Sequence, residues 1–163
     1  MHEHTSHEQH AGHAGPAMHD ASWAVAASAT LHCLTGCAIG EVLGMVIGTV
    51  FGLSAGVTVV LAIVLAFVFG YALSARRVIA AGLAVGAALK VAFAADTVSI
   101  AIMEIVDNAV VLAVPGAMDA GLGSALFWGA LAFALAVAFV VTVPVNRWLI
   151  ARGKGHAVMH AYH

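Results

Sequence analysis

Charged residues are scarce in this sequence. Only 9% of its 163 residues are Asp, Glu, Lys or Arg, whereas a soluble globular domain carries about 25%. Six basic residues and a formal net charge of −2 provide no basic stripe for phosphate groups, which argues against nucleic acid as a partner. The composition therefore points away from an ordinary soluble domain and from a nucleic-acid-binding module.

The first 20 residues also lack lysine, arginine and any apolar run. They have neither the charged start nor the hydrophobic middle of a secretory signal, so we expect the first apolar helix to act as its own insertion signal. Six histidines and almost no aliphatic residues occur there instead. Such a composition cannot bury a core, which predicts a disordered His-rich tail over residues 1–20.

Cysteines are few as well, because Cys33 and Cys37 are the only two. On a helix, residues four apart have Cβ atoms about 5–6 Å apart, beyond the roughly 3.5–4.5 Å of a disulfide, so we expect two free thiols on one face. The C-x-x-C spacing of a thiol oxidoreductase is absent. No nucleophile–base arrangement or cofactor fingerprint occurs, which predicts that the protein is not an enzyme and binds no organic cofactor.

Apolar residues, in contrast, make up 63% of the chain, and the mean hydropathy is +1.02. A membrane-spanning helix needs about 20 mostly apolar residues, and the stretch from Ser22 to Ile150 is long enough for four of them with short turns. The sequence predicts an all-α, polytopic membrane protein in a lipid bilayer. Its four-helix transmembrane domain covers residues 21–150, and a His-containing tail follows over residues 151–163.

Capping and turn residues indicate where the four helices begin and end. Asp20 is suited to be an N-cap, and residues 22–31 are interpreted as an interfacial or extended approach to the first helix, which runs to about Leu53. The other expected boundaries are a turn at residues 54–56, a second span closed by Arg76 and Arg77, a third span from Val78 to Val114 before Pro115 and Gly116, and a fourth span over residues 126–148.

The basic residues predict the orientation in the membrane. They flank the second connection and the end of the fourth span, and positive charge near short loops is typical of the cytoplasmic side. Both termini are then cytoplasmic, and the loops at residues 54–56 and 115–125 lie outside. The residues concerned are Arg76, Arg77, Lys90, Arg147, Arg152 and Lys154.

Glycine recurs at every fourth residue of the first span, at Gly36, Gly40, Gly44, Gly48 and Gly52. Small residues at this spacing remove side chains along one stripe and let another helix approach closely. The stripe predicts glycine-zipper packing, either within one chain or between two copies. Because four short spans leave little room for a private aqueous pathway, we also expect a homo-oligomer.

A second row on the same helix contains Cys33, Cys37, Glu41 and Met45, also at intervals of four. At about 100° per residue these side chains drift by only about 40° at each step, so they share one ribbon. Thiolates select Cu(I) or zinc, and we expect a metal site here, for Cu(I) first and Zn second. His32 points about 100° away from Cys33 and is expected to serve a neighbouring helix or subunit. The alternative is that the cysteines are small buried hydrophobic residues.

The third span contains several carboxyl groups on one face. Asp96, Glu104 and Asp107 fall within about 80° on a helical wheel, and Asn108 widens this polar arc. An aspartate at the centre of a membrane helix costs about 2.5–3.5 kcal/mol, and such residues usually mark ion or proton routes. We expect these four residues to line an ion or proton path that shares a cavity with the cysteine row. Alternatively, the carboxyls are protonated and stabilise the fold by hydrogen bonds.

The first and third spans run in the same direction through the membrane. Counting from their inner ends puts Cys33 and Cys37 near Asp96. The same count puts Glu41 near Glu104.

Histidines at both ends of the chain are candidate accessory metal ligands, because neutral imidazole binds Zn, Ni and Cu ions. The alternative is a solubilising tail. The histidines concerned are His2, His4, His7, His10, His13, His19, His156, His160 and His163.

Three segments together, "LHCLTGCAIGEVLG", "AADTVSIAIMEIVDNAV" and "PVNRWLIARGKGHA", are similar to a family of small bacterial and archaeal membrane proteins known only as a domain of unknown function. The resemblance covers roughly residues 25–160. It implies a compact four-span fold with a variable His-rich start, placed in the cytoplasmic membrane of a prokaryote. It implies no activity.

Three functions remain open on these residues. The first is binding of a transition metal for transport or sensing, with the tails collecting the ion from an unknown cytoplasmic donor. The second is a proton- or cation-conducting channel that uses the carboxylates and not the thiols. The third is a membrane assembly or scaffold subunit whose glycine stripe binds its partner.

Overall fold

The computed structural model describes residues 22–80, 82–117 and 119–152. These residues form four α-helices and no strand, which confirms the all-α class. The helices are α1 (Trp23–Phe51), α2 (Ala55–Ala80), α3 (Val85–Ala113) and α4 (Ala125–Ala151).

Three of these helices are long and apolar enough to cross a membrane. α1 and α4 qualify over their whole lengths, and α2 qualifies over Ala55–Arg77. α3 makes a fourth span if its two halves, which meet at an angle of 49°, are counted as one. Hydrophobic side chains project outward all around the bundle, as in Val50, Ile105 and Val140, which fits a lipid environment.

The start of α1 corrects the sequence prediction. The helix begins at Trp23, and its N-cap is Ser22, whose hydroxyl accepts a hydrogen bond from the Val25 amide at 3.2 Å. A serine N-cap satisfies an amide that the first turn otherwise leaves without a partner. Residues 23–31 are therefore helical, and the extended approach expected at residues 22–31 is wrong.

The boundary between the second and third helices also differs from the prediction. α2 continues past Arg76 and Arg77 to Ala80, and α3 begins at Val85, so residues 78–80 belong to the second helix. At its other end α3 stops at Ala113, directly before Val114 and Pro115. A residue that precedes proline is driven out of the helical conformation, and this end was predicted correctly.

The bend in α3 lies just before Asp96. Its two straight halves are Val85–Ala94 and Asp96–Ala113. The Thr97 hydroxyl donates a hydrogen bond to the Phe93 carbonyl oxygen four residues earlier, a contact that often bends helices. The bend therefore lies directly beside Asp96, a buried candidate site residue.

The glycine stripe of α1 packs against α2. A Cβ atom built on Gly36 would lie 2.7 Å from Gly70 Cα, and one built on Gly40 would lie 2.2 Å from the Ala66 nitrogen. The two backbones are therefore in direct contact, and the predicted packing lies within one chain. The other contacts of this kind are Gly44 with Ala62 and Gly48 with Thr58.

Gly52 has a different role from the rest of the stripe. Its φ of 61° is left-handed, and its amide closes the end of α1 onto Gly48 and Thr49. Glycine is favoured there because it has no Cβ to clash. This corrects its assignment to helix packing. Since the other four glycines are covered by α2, the stripe no longer supports a homo-oligomer, which stays a prediction.

The bundle has two ends with different chemistry. The basic end contains the start of α1 and the end of α4, where the Arg147 guanidinium lies 4.6 Å from the centre of the Trp23 ring. Arg76, Arg77 and Lys90 lie toward the same end. The loop end contains the α1–α2 turn and residues 114–124. Its Trp128 Nε1 donates a hydrogen bond to the Leu122 carbonyl oxygen at 2.8 Å.

Candidate functional site

Acidic side chains of α3 face the cysteine row of α1 inside the bundle. The Cys33 thiol lies 3.6 Å from Asp96 Oδ1 and donates a hydrogen bond to it. The Cys37 thiol lies beside the Glu104 carboxyl. Farther toward the loop end, the Glu41 and Asp107 carboxyls are direct neighbours. We call these residues the acid–thiol column: Cys33, Cys37, Glu41, Asp96, Glu104 and Asp107.

The whole acid–thiol column is buried. Glu41, the most accessible of its members, is only 7% exposed, and Asp96 is fully buried. Glu41 lies against Asp107, and Glu104 lies against the Cys37 thiol. These buried groups therefore face one another, and burying several ionisable groups together costs free energy.

A cavity of about 280 Å³ connects the column to the loop end. Glu41 and Asp107 lie at its inner limit, and Asp119 and Ala120 of the α3–α4 loop lie at its mouth. Met45 and Asn108 line its wall, together with Thr49, Leu53 and Thr58. Because this volume exceeds that of several water molecules, at about 30 Å³ each, a small hydrated ion has room to reach the paired carboxyls.

The register of α1 on α3 agrees in part with the sequence prediction. Cys33 was expected near Asp96, and the 3.6 Å contact confirms it. Glu41 was expected at the depth of Glu104, and it interacts with that residue but lies closest to Asp107, one turn nearer the loop end. A helical wheel describes one helix and does not contain the register between two.

The predicted metal ligands are only partly brought together. Cys33 and Cys37 are buried free thiols, and Met45 lies in the cavity wall beyond Glu41. His32 is half-buried on a different face of α1. Within residues 22–80, 82–117 and 119–152, no group of three or more His, Cys, Asp or Glu side chains is arranged to hold a metal ion. The metal site remains a prediction.

Asn108 supports the column from the side. Its Nδ2 donates a hydrogen bond of 2.8 Å to the Glu104 carbonyl oxygen, and the side chain also borders the cavity. The tail histidines at residues 1–20 and 156–163 lie outside the described residues.

Several buried polar side chains near the basic end of the column are not predicted from the sequence. The Asn146 amide of α4 donates a hydrogen bond of 2.8 Å to the Thr30 hydroxyl of α1. Ser74, Ser99 and Thr142 are 0–1% exposed. An isolated Ser, Thr or Asn in an apolar span was the available signal. It is a weak one, since Thr35 carries the same group on the lipid-facing side and bonds only its own helix.

Residues 22–155 match the family described as Domain of unknown function (DUF4396). The match covers most of the chain, which therefore belongs to this family, and it confirms the resemblance to an uncharacterised family. No curated protein matches the chain, and no solved structure matches it. The family description assigns no activity, so a functional proposal rests on the site.

Proposed function

We propose that this member of the DUF4396 family moves a small cation, and first of all a proton, across the cytoplasmic membrane along the acid–thiol column. The observation that carries the proposal is the cavity that leads from the loop end to the paired Glu41 and Asp107 carboxyls. Ionisable groups inside a bilayer are expensive and usually serve ion or proton transfer. In this protein the ionisable groups form one column along the bundle.

The proposed steps follow the acid–thiol column from the loop end toward Asp96. A cation enters the loop-end cavity and binds at Glu41 and Asp107. It then passes to Glu104, which interacts with both of these carboxyls, and next to the Asp96 level. For a proton, the step between Glu41 and Asp107 is a transfer between neighbouring carboxyls. The step from Glu104 to Asp96 covers about 12 Å, since eight residues separate them on α3, and it passes through intervening water.

The orientation in this proposal follows the basic residues. Arg76, Arg77, Lys90 and Arg147 lie toward one end of the bundle, and basic residues are enriched on the cytoplasmic side. We therefore place the basic end and both termini in the cytoplasm, with α3 counted as one span. The loop-end cavity then opens to the outside.

Flux measurements on purified protein in liposomes test the proposal. With an imposed gradient and a pH-sensitive dye inside, wild-type protein is expected to carry protons, and Glu41→Gln and Asp107→Asn are expected to reduce the flux at least tenfold. Thr35→Val is the control, because Thr35 faces outward on the same helix. Equal flux in wild type and Glu41→Gln would contradict the proposal. Na⁺, K⁺ and Cu(I) gradients identify the ion if it is not the proton.

A second candidate function is Cu(I) binding at Cys33 and Cys37. The thiols share one column with the carboxyls, and soft thiolates select Cu(I). Zinc usually takes four ligands in a structural site and three in a catalytic one, and no group of three candidate ligands is found in the described part of the chain. Two thiolates suit Cu(I), so we put Cu(I) before zinc within this hypothesis.

Metal content separates the two candidates. Full-length protein and Cys33→Ser/Cys37→Ser, loaded with Cu(I) under reducing conditions, are compared by elemental mass spectrometry. Because both proteins carry the same histidine tails, the difference between them reports the thiols. A difference near one copper per chain supports the copper site, and no difference removes it. Proton flux that survives in the double variant assigns the path to the carboxyls.

A further inference from the structure

Each of the four helices contributes a buried polar side chain at the Cys33 end of the acid–thiol column or one turn beyond it. α1 contributes Thr30, α2 Ser74 and α3 Ser99, and all three are almost completely buried. α4 contributes two residues. We call this set the polar layer: Thr30, Ser74, Ser99, Thr142 and Asn146.

The register of the helices places these residues at one depth. Gly36 meets Gly70 on the antiparallel α2, so Ser74, one turn farther along α2, lies at the depth of Cys33. Asn146 bonds Thr30, so Thr142, one turn back along α4, lies at the same depth. Ser99 interacts directly with the Cys33 thiol. The polar layer therefore overlaps the Cys33 end of the acid–thiol column, and Thr30 and Asn146 extend it by one turn toward the basic end.

Some side chains of the polar layer have hydrogen-bond partners and others do not. Asn146 donates to Thr30, and the Thr30 hydroxyl donates to the Ala26 carbonyl oxygen at 2.8 Å. The Ser74 and Thr142 hydroxyls have no hydrogen-bond partner among the described residues, although both residues are fully buried. Thr35 and Thr58 bond the carbonyl four residues earlier in their own helices. Among the described residues, the Ser74 and Thr142 hydroxyls lack this hydrogen bond to their own helix.

We propose that the polar layer forms the part of the cation path nearest the basic end. The layer takes up water in a second arrangement of the helices. In that arrangement the Ser74 and Thr142 hydroxyls bond water, and the water connects Asp96 with the basic end. This inference rests on the proposed function and deepens it. The structure then represents the state open to the loop end, with the layer closed.

The packing indicates which helices separate. α1 and α2 meet backbone to backbone along the glycine stripe, so they form the fixed part. α3 is tied to α2 at this depth, because the Tyr71 and Thr97 hydroxyls are hydrogen-bonded at 3.0 Å and Ile100 packs on Gly70. α4 meets α1 through the Thr30–Asn146 side-chain hydrogen bond. The layer therefore opens by movement of α4 away from the other three helices.

Chemical modification of the natural cysteine Cys33 can detect this opening. With Cys37→Ser, Cys33 is the only thiol in the chain, and it lies at the depth of the polar layer. Sealed vesicles of both orientations are treated with a small, positively charged, membrane-impermeant methanethiosulfonate reagent. The modified fraction is measured by intact mass. Denatured protein shows the level of complete modification.

We expect Cys33 to react when the reagent is applied at the basic end. Thr142→Val and Ser74→Ala remove a hydroxyl without a partner from the closed state, so they are expected to slow this reaction at least tenfold and to reduce the cation flux. Each variant is also expected to raise Tm by about 2–4 °C, because it removes a buried hydroxyl that has no partner in the closed state. A residue with a merely structural role would lower Tm instead. Thr35→Val is the matched control and leaves both the reaction rate and Tm unchanged.

Two results would overturn the inference. One is a Cys33 thiol that stays unmodified from the basic end while the carboxyl-dependent flux is normal, because the path then bypasses the layer and the proposed function survives. The other is a Tm that falls in Thr142→Val with the reaction rate unchanged. If instead the flux is absent in wild type and Cys33 reacts from the basic end, the hydrated layer stands and the proposed transport fails.

Discussion

At the scale of single residues, the polar layer contains two kinds of buried side chain. Asn146 and Thr30 are paired across α1 and α4, whereas Ser74 and Thr142 have no partner among the described residues. Paired groups stabilise a membrane bundle modestly, and unpaired groups are a cost. Removal of the polar group is therefore expected to destabilise the protein at Asn146 and to stabilise it at Ser74 or Thr142.

Asn146→Ala tests the stabilising side of this contrast. It removes the hydrogen bond to Thr30 and leaves a small void at a position only 6% exposed, so we expect the free energy of unfolding to fall by about 1–2 kcal/mol. Thermal unfolding in detergent measures it. Thr35→Val, which loses a hydrogen bond only within its own helix, is expected to differ little from wild type. An unchanged Tm for Asn146→Ala would show that the pair contributes nothing.

At the scale of helices, the contact of α1 with α2 depends on the absence of side chains. Gly40 is the tightest point, since an added Cβ would lie 2.2 Å from the Ala66 nitrogen. Backbone atoms cannot move aside as a flexible side chain does. The interface therefore tolerates no side chain at this position without separation of the two helices.

Gly40→Ala and Gly129→Ala form a matched pair of variants. We expect Gly40→Ala to destabilise the protein by about 1–3 kcal/mol through overpacking. Gly129 lies within α4 with no atom within 4 Å of an added Cβ, so Gly129→Ala is expected to be neutral or to stabilise by about 0.5–1 kcal/mol. Tm and monodispersity in detergent provide the comparison. Equal behaviour of the two variants would contradict the observed packing.

The sequence predicted the existence of the helices better than their details. Apolar length gave four helices, and Pro115 gave the end of the third, because both effects are local. The start of α1 was wrong because Ser22 caps the helix and residues 23–31 continue its apolar pattern. The stripe of glycines predicted close packing, but only the structure shows that α2 is the partner. Spacing along one helix does not contain that information.

For the candidate site, too, the sequence predicted local features but not those that depend on packing. The charges in α1 and α3 stood out because carboxyls are rare in apolar spans, and Cys33 was placed correctly against Asp96. Ser74 and Thr142 did not stand out, since hydroxyls on the lipid-facing side are common and satisfy themselves locally. Their importance depends on burial and on a missing partner, which are properties of the packed bundle.

At the scale of the whole molecule, the two ends of the bundle differ in charge and in access to the column. We expect the basic end to be cytoplasmic. In intact cells, a cysteine introduced at Gly121 of the loop end is expected to react with an impermeant maleimide, whereas one introduced at Arg77 reacts only after the membrane is opened. Both tests use a Cys33→Ser/Cys37→Ser background. The reverse pattern would invert the orientation and the side from which the cavity opens.

The acid–thiol column also bears on how the chain enters the bilayer during its synthesis. An aspartate at the centre of an inserting helix costs about 2.5–3.5 kcal/mol, and α3 contains three carboxyls, Asp96, Glu104 and Asp107. Taken alone, α3 is a poor substrate for the insertion machinery. α1 and α2 precede it in the chain and associate through their own backbones, so α3 meets a preassembled hairpin whose Cys33, Cys37 and Glu41 face it. We therefore expect the third helix to insert with the help of the first two rather than independently.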